Sequence, residues 1–156
     1  MKIPLKYGLP LKYGSIAAFG LVIWILLAHW LIPNPQSTVH TLGAPIFFNV
    51  LHFIVIFLGL KALEREQGDK PRFKDAVKTG VAIAFVYALI ASLFFVGVVL
   101  MVGTRWMAGG PNTGTPTGVL LAQAFAGLFL GTMIFGLIYS TVMAFFVARR
   151  QSDLRS

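Results

Sequence analysis

Four long apolar stretches alternate with short polar ones along this chain. They cover about residues 14–32, 44–60, 79–103 and 118–148. The first, 19 residues at 1.5 Å each, spans roughly 28 Å as a helix, close to the hydrocarbon thickness of a bilayer. The last, 31 residues, exceeds that thickness and must tilt, kink or emerge from the core. The pattern predicts an all-α membrane protein with four transmembrane helices in a single domain over residues 1–156.

The breaks between the stretches carry their own signals. Trp30 ends the first as an interface anchor, and Pro33-Asn34-Pro35 stops the helix. Pro45 suits the first turn of the second helix, which is predicted to run on into water as far as Gln67, with Gly68 as its terminator. Asp69 is placed to cap the third helix and Pro71 to sit in its first turn, giving a tight hairpin between antiparallel neighbours. Arg105 and Trp106 end the third stretch. A turn-rich, uncharged loop, Gly109-Gly110-Pro111-Asn112-Thr113-Gly114-Thr115-Pro116, leads to the fourth.

Charge then orients the spans. Ten charged residues lie within 61–78, including four of the five acids: Lys61, Glu64, Arg65, Glu66, Asp69, Lys70, Arg72, Lys74, Asp75 and Lys78. A charge at the centre of a bilayer costs a few kcal/mol, so this stretch is in water. The segment before the first span, the hairpin and the segment after the last hold three, six and three Lys/Arg, whereas the two other loops hold one, Arg105. The positive-inside rule therefore predicts cytoplasmic N- and C-termini and a cytoplasmic hairpin.

Composition agrees. Hydrophobic residues make up 57% of the chain and mean hydropathy is +0.81, while charged residues make up 12% against about 25% in soluble domains. The net charge of +8 is distributed as a topology signal and not as a groove-binding patch, so no nucleic acid is expected. No cysteine is present, which excludes disulfides and thiolate chemistry. The Lys-bearing start resembles a signal peptide, but the apolar run is too long and no small-x-small site ends it. Pro4-Leu5-Lys6-Tyr7-Gly8 repeats as Pro10-Leu11-Lys12-Tyr13-Gly14, with Lys and Tyr suited to the headgroup zone.

Small residues recur at helical spacing. Gly80, Ala84, Ala88 and Ser92 form a ladder that would let another helix approach closely, with Phe73 and Val77 in the same sector. Gly118, Ala122 and Ala126 share a face with Gly136, Ser140 and Ala144, and Gly127 and Gly131 make a GxxxG on the opposite side. Such ladders serve packing within the chain or between copies. Lys70, Lys74 and Lys78 form a basic stripe that suits anionic lipid headgroups, at about 1 kcal/mol per charge.

Candidate chemistry is sparse. His52 lies within the second span with Asn49 one turn earlier, and His29 lies near the same end of the first span; the three form a candidate polar cluster in the outer leaflet half. Polar groups at that depth mark a pathway or ligand site, or else each makes one interhelical hydrogen bond and nothing more. His40 belongs to the outer loop. Tyr87, Gln123, Thr132, Tyr139, Ser140 and Thr141 read as packing and local hydrogen-bonding groups. No span holds a carboxylate, the histidine spacing matches no zinc motif, and no P-loop, nucleophile elbow, HExxH or dinucleotide fingerprint occurs. No catalytic residue, metal site or cofactor is expected.

Three motifs carry a family resemblance: Leu11-Lys12-Tyr13-Gly14, Gly59-Leu60-Lys61-Ala62-Leu63-Glu64-Arg65-Glu66, and Phe73-Lys74-Asp75-Ala76-Val77-Lys78-Thr79-Gly80. In these the chain resembles small bacterial four-helix membrane proteins catalogued as domain of unknown function forty-one ninety-nine. The extra copy at residues 4–8 departs from that pattern. The resemblance implies a multi-pass protein of a bacterial inner membrane and no established activity. The leading expectation is a non-enzymatic helix-bundle protein that assembles with itself or with another membrane protein. The rival is a small transporter or channel component using His29, Asn49 and His52.

Overall fold

The computed structural model describes residues 8–32, 43–68, 71–102 and 116–152. These form four helices: α1 (Gly8–Leu31), α2 (Ala44–Gln67), α3 (Phe73–Val102) and α4 (Thr117–Ser152). All four are long and apolar enough to cross a membrane, and no strand occurs among the described residues. The four-helix membrane architecture is the one the hydropathy pattern predicts. With 30 and 36 residues, α3 and α4 measure about 45 and 54 Å, well beyond a hydrocarbon core of about 30 Å.

The hairpin differs from expectation in one detail. Helix α2 ends at Gln67, and Gly68 adopts a left-handed φ of 61°, a conformation glycine reaches without a Cβ penalty. The start of α3 is set by Arg72, whose carbonyl accepts from the amides of Asp75 (2.9 Å) and Ala76 (3.0 Å). Pro71 therefore lies outside the helix, buried, and not in its first turn. Asp75 supplies the acid that the positive end of the helix dipole favours. The expected Asp69 cap lies outside the described residues, as do Lys70, His40 and the two other loops.

Helix α3 is the hub, packing against α1, α2 and α4, while α2 also touches both α1 and α4. Small residues create these contacts, and they concentrate in the half of the bundle that carries the charged hairpin. A Cβ built on Gly80 would stand 2.7 Å from Ser140 Cβ, and one built on Gly136 would collide with Ala84 Cβ. Residue numbers rise along α3 as they fall along α4, so the two helices are antiparallel and meet almost backbone to backbone. On the other sides of α3, a Cβ on Gly14 would lie 2.6 Å from Val86 Cβ and 3.0 Å from the Ile83 carbonyl, and one on Gly59 would collide with Ile83 Cδ1. Ile83, with no exposed surface, thus seats α1 and α2 at one level.

The buried core runs through Ala17, Ala18, Val55, Ile56, Leu60, Ile83, Ala84, Tyr87 and Ala144. Phe73 is not part of it: at 44% exposed it turns outward, and Ala76 and Thr79 take the buried positions of that turn. Phe19, Leu100, Ile134 and Phe146 stand out from the bundle with more than half their surface uncovered. An apolar exterior on this scale is what lipid covers.

Candidate functional site

Each ladder position has a definite place. Gly80, Ala84, Ala88 and Ser92 are all buried on α3, and Gly136, Ser140 and Ala144 are buried on α4. Ser140 Oγ donates to the Gly136 carbonyl of its own helix at 2.5 Å, which removes a donor from a dry contact. Gly127 and Gly131 take no part in packing between the described helices. A Cβ added at either would meet nothing within 4 Å among the described residues, so none of the described helices packs on them. The same holds for Gly97 on α3. In the hairpin half small residues draw the helices together; in the other half they border open space.

That space is a half-open cavity of about 670 Å³ lined by residues of all four helices. Its walls include Trp24 and Ala28 of α1, Phe48 of α2, Phe94 and Phe95 of α3, and Gly127 and Gly131 of α4. A mainly apolar lining with few polar groups, at several hundred Å³, is the usual make-up of a small-molecule site. Trp24 stacks on Phe47, with ring centroids 4.4 Å apart, and ties α1 to α2.

Polar groups gather where the cavity meets the packed half. Asn49 Nδ2 donates to the Pro45 carbonyl at 2.8 Å, and Asn49 Oδ1 accepts from the Tyr139 hydroxyl at 2.9 Å. Because a carbonyl can only accept, the atom facing Pro45 must be the amide nitrogen, which settles the orientation of this side chain. His52 is 2% exposed and packs between Tyr87 (centroids 4.9 Å apart) and Tyr139 (5.7 Å). The missing side chain of Gly136 makes room for its ring: a Cβ there would lie 3.3 Å from His52 Nε2.

The expected cluster is therefore partly rearranged. Asn49 and His52 do share one site, but Asn49 binds Tyr139 on α4 and gives no bond to His52. His52 Nε2 is buried without a hydrogen-bond partner. The side chain of His29 lies outside the described residues. Tyr87 and Tyr139, expected to serve in packing and local hydrogen bonding, belong to the site, and Trp24, expected in no site, lines the cavity. Tyr139 is 90 residues from its partner, so no local spacing could have joined the two. Among the described residues no group of His, Cys, Asp and Glu is arranged to hold a metal ion.

Lys74 and Lys78 are exposed at the hairpin end, far along α3 from the cavity. Lys61 pairs with Glu64 at 3.8 Å, an exposed contact that contributes little to stability.

No family model matches this chain, no curated protein matches it, and no solved structure matches it. The resemblance to the bacterial four-helix family rests on its three motifs alone.

Proposed function

We propose that this chain is a non-enzymatic, multi-pass membrane protein that holds a lipid-soluble molecule inside its bundle. The observation that carries the reading is the cavity: about 670 Å³, half open, lined by four helices and mainly apolar, with Asn49 and His52 among its few polar groups. None of its lining residues is Asp, Glu, Lys or Arg, so the wall offers an ion no charged partner. A bacterial inner membrane, cytoplasmic termini and anionic-lipid contact through Lys70, Lys74 and Lys78 belong to the same proposal. They are supported by the charge asymmetry and by the family resemblance.

Assembly with itself or with another membrane protein was suggested by the small-residue ladders. Gly80, Ala84, Gly136 and Ser140 are used between α3 and α4, whereas Gly127 and Gly131 meet none of the described helices and stay open to a second copy or another membrane protein. Ion or proton transport keeps Asn49 and His52 but lacks a charged wall. A liposome flux assay with a His52→Ala control separates transport from binding.

The cavity itself is tested by filling it. Gly131→Leu adds a side chain where a Cβ meets nothing within 4 Å, so the fold should tolerate it. Purified in detergent, the wild type should bind an environment-sensitive apolar fluorophore, and Gly131→Leu should bind it at least tenfold more weakly at unchanged thermal stability. Equal binding by both would remove the cavity as the site.

A further inference from the structure

Resting on that reading, we infer that the cavity opens sideways into the bilayer between α2 and α4, and that its occupant is one hydrocarbon chain of a membrane lipid whose headgroup stays outside. The opening follows from how the helices pair. Beside the packed half α2 meets α4 closely: His52 lies against Gly136, and Asn49 is bonded to Tyr139. Beyond that crossing each helix keeps to a different partner. Helix α2 stays with α1, where a Cβ on Gly20 would lie 2.9 Å from Leu51 Cδ2 and Phe47 stacks on Trp24. Helix α4 stays with α3, where Phe129 meets Phe85 edge to face with centroids 5.8 Å apart. Exposure along the lining divides the same way. Leu21 and Ala28 of α1 and Tyr87 and Ala91 of α3 are buried. Pro45 of α2 and Gly127, Leu128 and Phe135 of α4 are exposed. Helices α1 and α3 thus form the floor, and α2 and α4 the rim.

The dimensions fit a lipid chain. The lining runs from Tyr87 to Val98 along α3 and from Ala124 to Phe135 along α4, in each case roughly 16 Å of helix. The hydrocarbon of one leaflet is about 15 Å deep, half the bilayer core. A chain that enters between α2 and α4 therefore runs the length of the cavity within its own leaflet, the one remote from the charged hairpin. The lining holds no Asp, Glu, Lys or Arg to receive a charged headgroup, and an open side lets that headgroup stay at the bilayer surface. Gly127 and Gly131 leave bare backbone on the α4 wall, on which a methylene chain can lie closely. An empty apolar gap would forfeit the dispersion contacts of its lining, and lipid chains are the nearest mobile hydrocarbon to restore them.

The test uses the full chain with Trp24 as its sole tryptophan (Trp30→Phe, Trp106→Phe), reconstituted in phosphatidylcholine vesicles. The lipids carry bromine at mid-chain, a short-range quencher of indole fluorescence. Relative to unbrominated vesicles, Trp24 emission should fall roughly twofold, since a chain in the cavity lies in contact with its lining. Gly131→Leu in the same background should recover most of that loss by occupying the space. Phosphatidylglycerol with the same chains should quench equally, because the headgroup stays outside. A brominated alkane, added to plain vesicles at the same bromine content, should quench no more strongly than the lipid. Quenching that Gly131→Leu leaves unchanged, quenching by one headgroup alone, or stronger quenching by the alkane would each overturn this inference. So would the absence of quenching before Gly131→Leu is introduced, the result expected if a second copy covered the gap. All four leave the cavity reading intact provided that Gly131→Leu weakens fluorophore binding. If it does not, the cavity reading itself falls.

Discussion

His52 shows how a buried polar ring can be held by shape and not by hydrogen bonds. Its imidazole is enclosed by Tyr87, Tyr139 and the bare backbone of Gly136, and Nε2 finds no partner there. The residue thus combines favourable ring contacts with an unfavourable buried nitrogen, and two substitutions separate them. His52→Phe keeps the ring contacts and removes the orphaned atom, so thermal unfolding in detergent should occur at the same or a higher temperature than in wild type. His52→Ala removes the ring and should lower it, because truncating a buried aromatic ring leaves a hole that the surroundings fill only in part. A clear drop for His52→Phe would mean that the nitrogen has a partner the protein does not supply. From sequence, the depth of His52 and its place beside Asn49 were legible. Its neighbours were not, because they come from α3 and α4 and depend on which faces of those helices turn inward.

Among the helices, α3 and α4 are joined by two successive small-residue contacts, Gly80 with Ser140 and Ala84 with Gly136. Ala84 has no exposed surface, so Ala84→Leu must push the helices apart or force strained rotamers, at about 1–3 kcal/mol. The variant should unfold at lower temperature or lower denaturant than its parent, and an unchanged midpoint would mean that the contact is looser than described. The four-residue spacing of the α3 ladder made this face legible in advance. The same spacing at Gly127 and Gly131 proved ambiguous, since a small residue that permits close approach also leaves room when no helix arrives. Only the course of the neighbouring helices decides between the two. The αL terminus at Gly68 was legible because its chemistry is local. The start of α3 was displaced because Pro71, read as a first-turn residue, precedes the helix and is covered by the bundle.

For the whole molecule, helix number and rough limits followed from hydropathy, since a bilayer demands long apolar runs whatever their partners. Orientation rests on charge. Single cysteines placed at Gly68 and Asn112 should react with impermeant reagent from opposite sides of the membrane, Gly68 from the cytoplasm. Reaction of both from outside would sink the four-span arrangement. The cavity was invisible to any linear pattern: it is the difference between a half where glycine and alanine interlock and a half where they do not.

The central position of α3 also has a consequence in time. The helix that every other one rests on is the third to leave the ribosome. At about 5–20 residues per second, its 30 residues take roughly 2–6 s to make. During that interval α1 and α2 are already synthesised, but the Val86 and Ile83 surfaces that receive Gly14 and Gly59 are not yet complete. Until then the first two spans have only each other, through contacts such as Trp24 on Phe47, and the Gly14 and Gly59 contacts close only when the later helix packs across both.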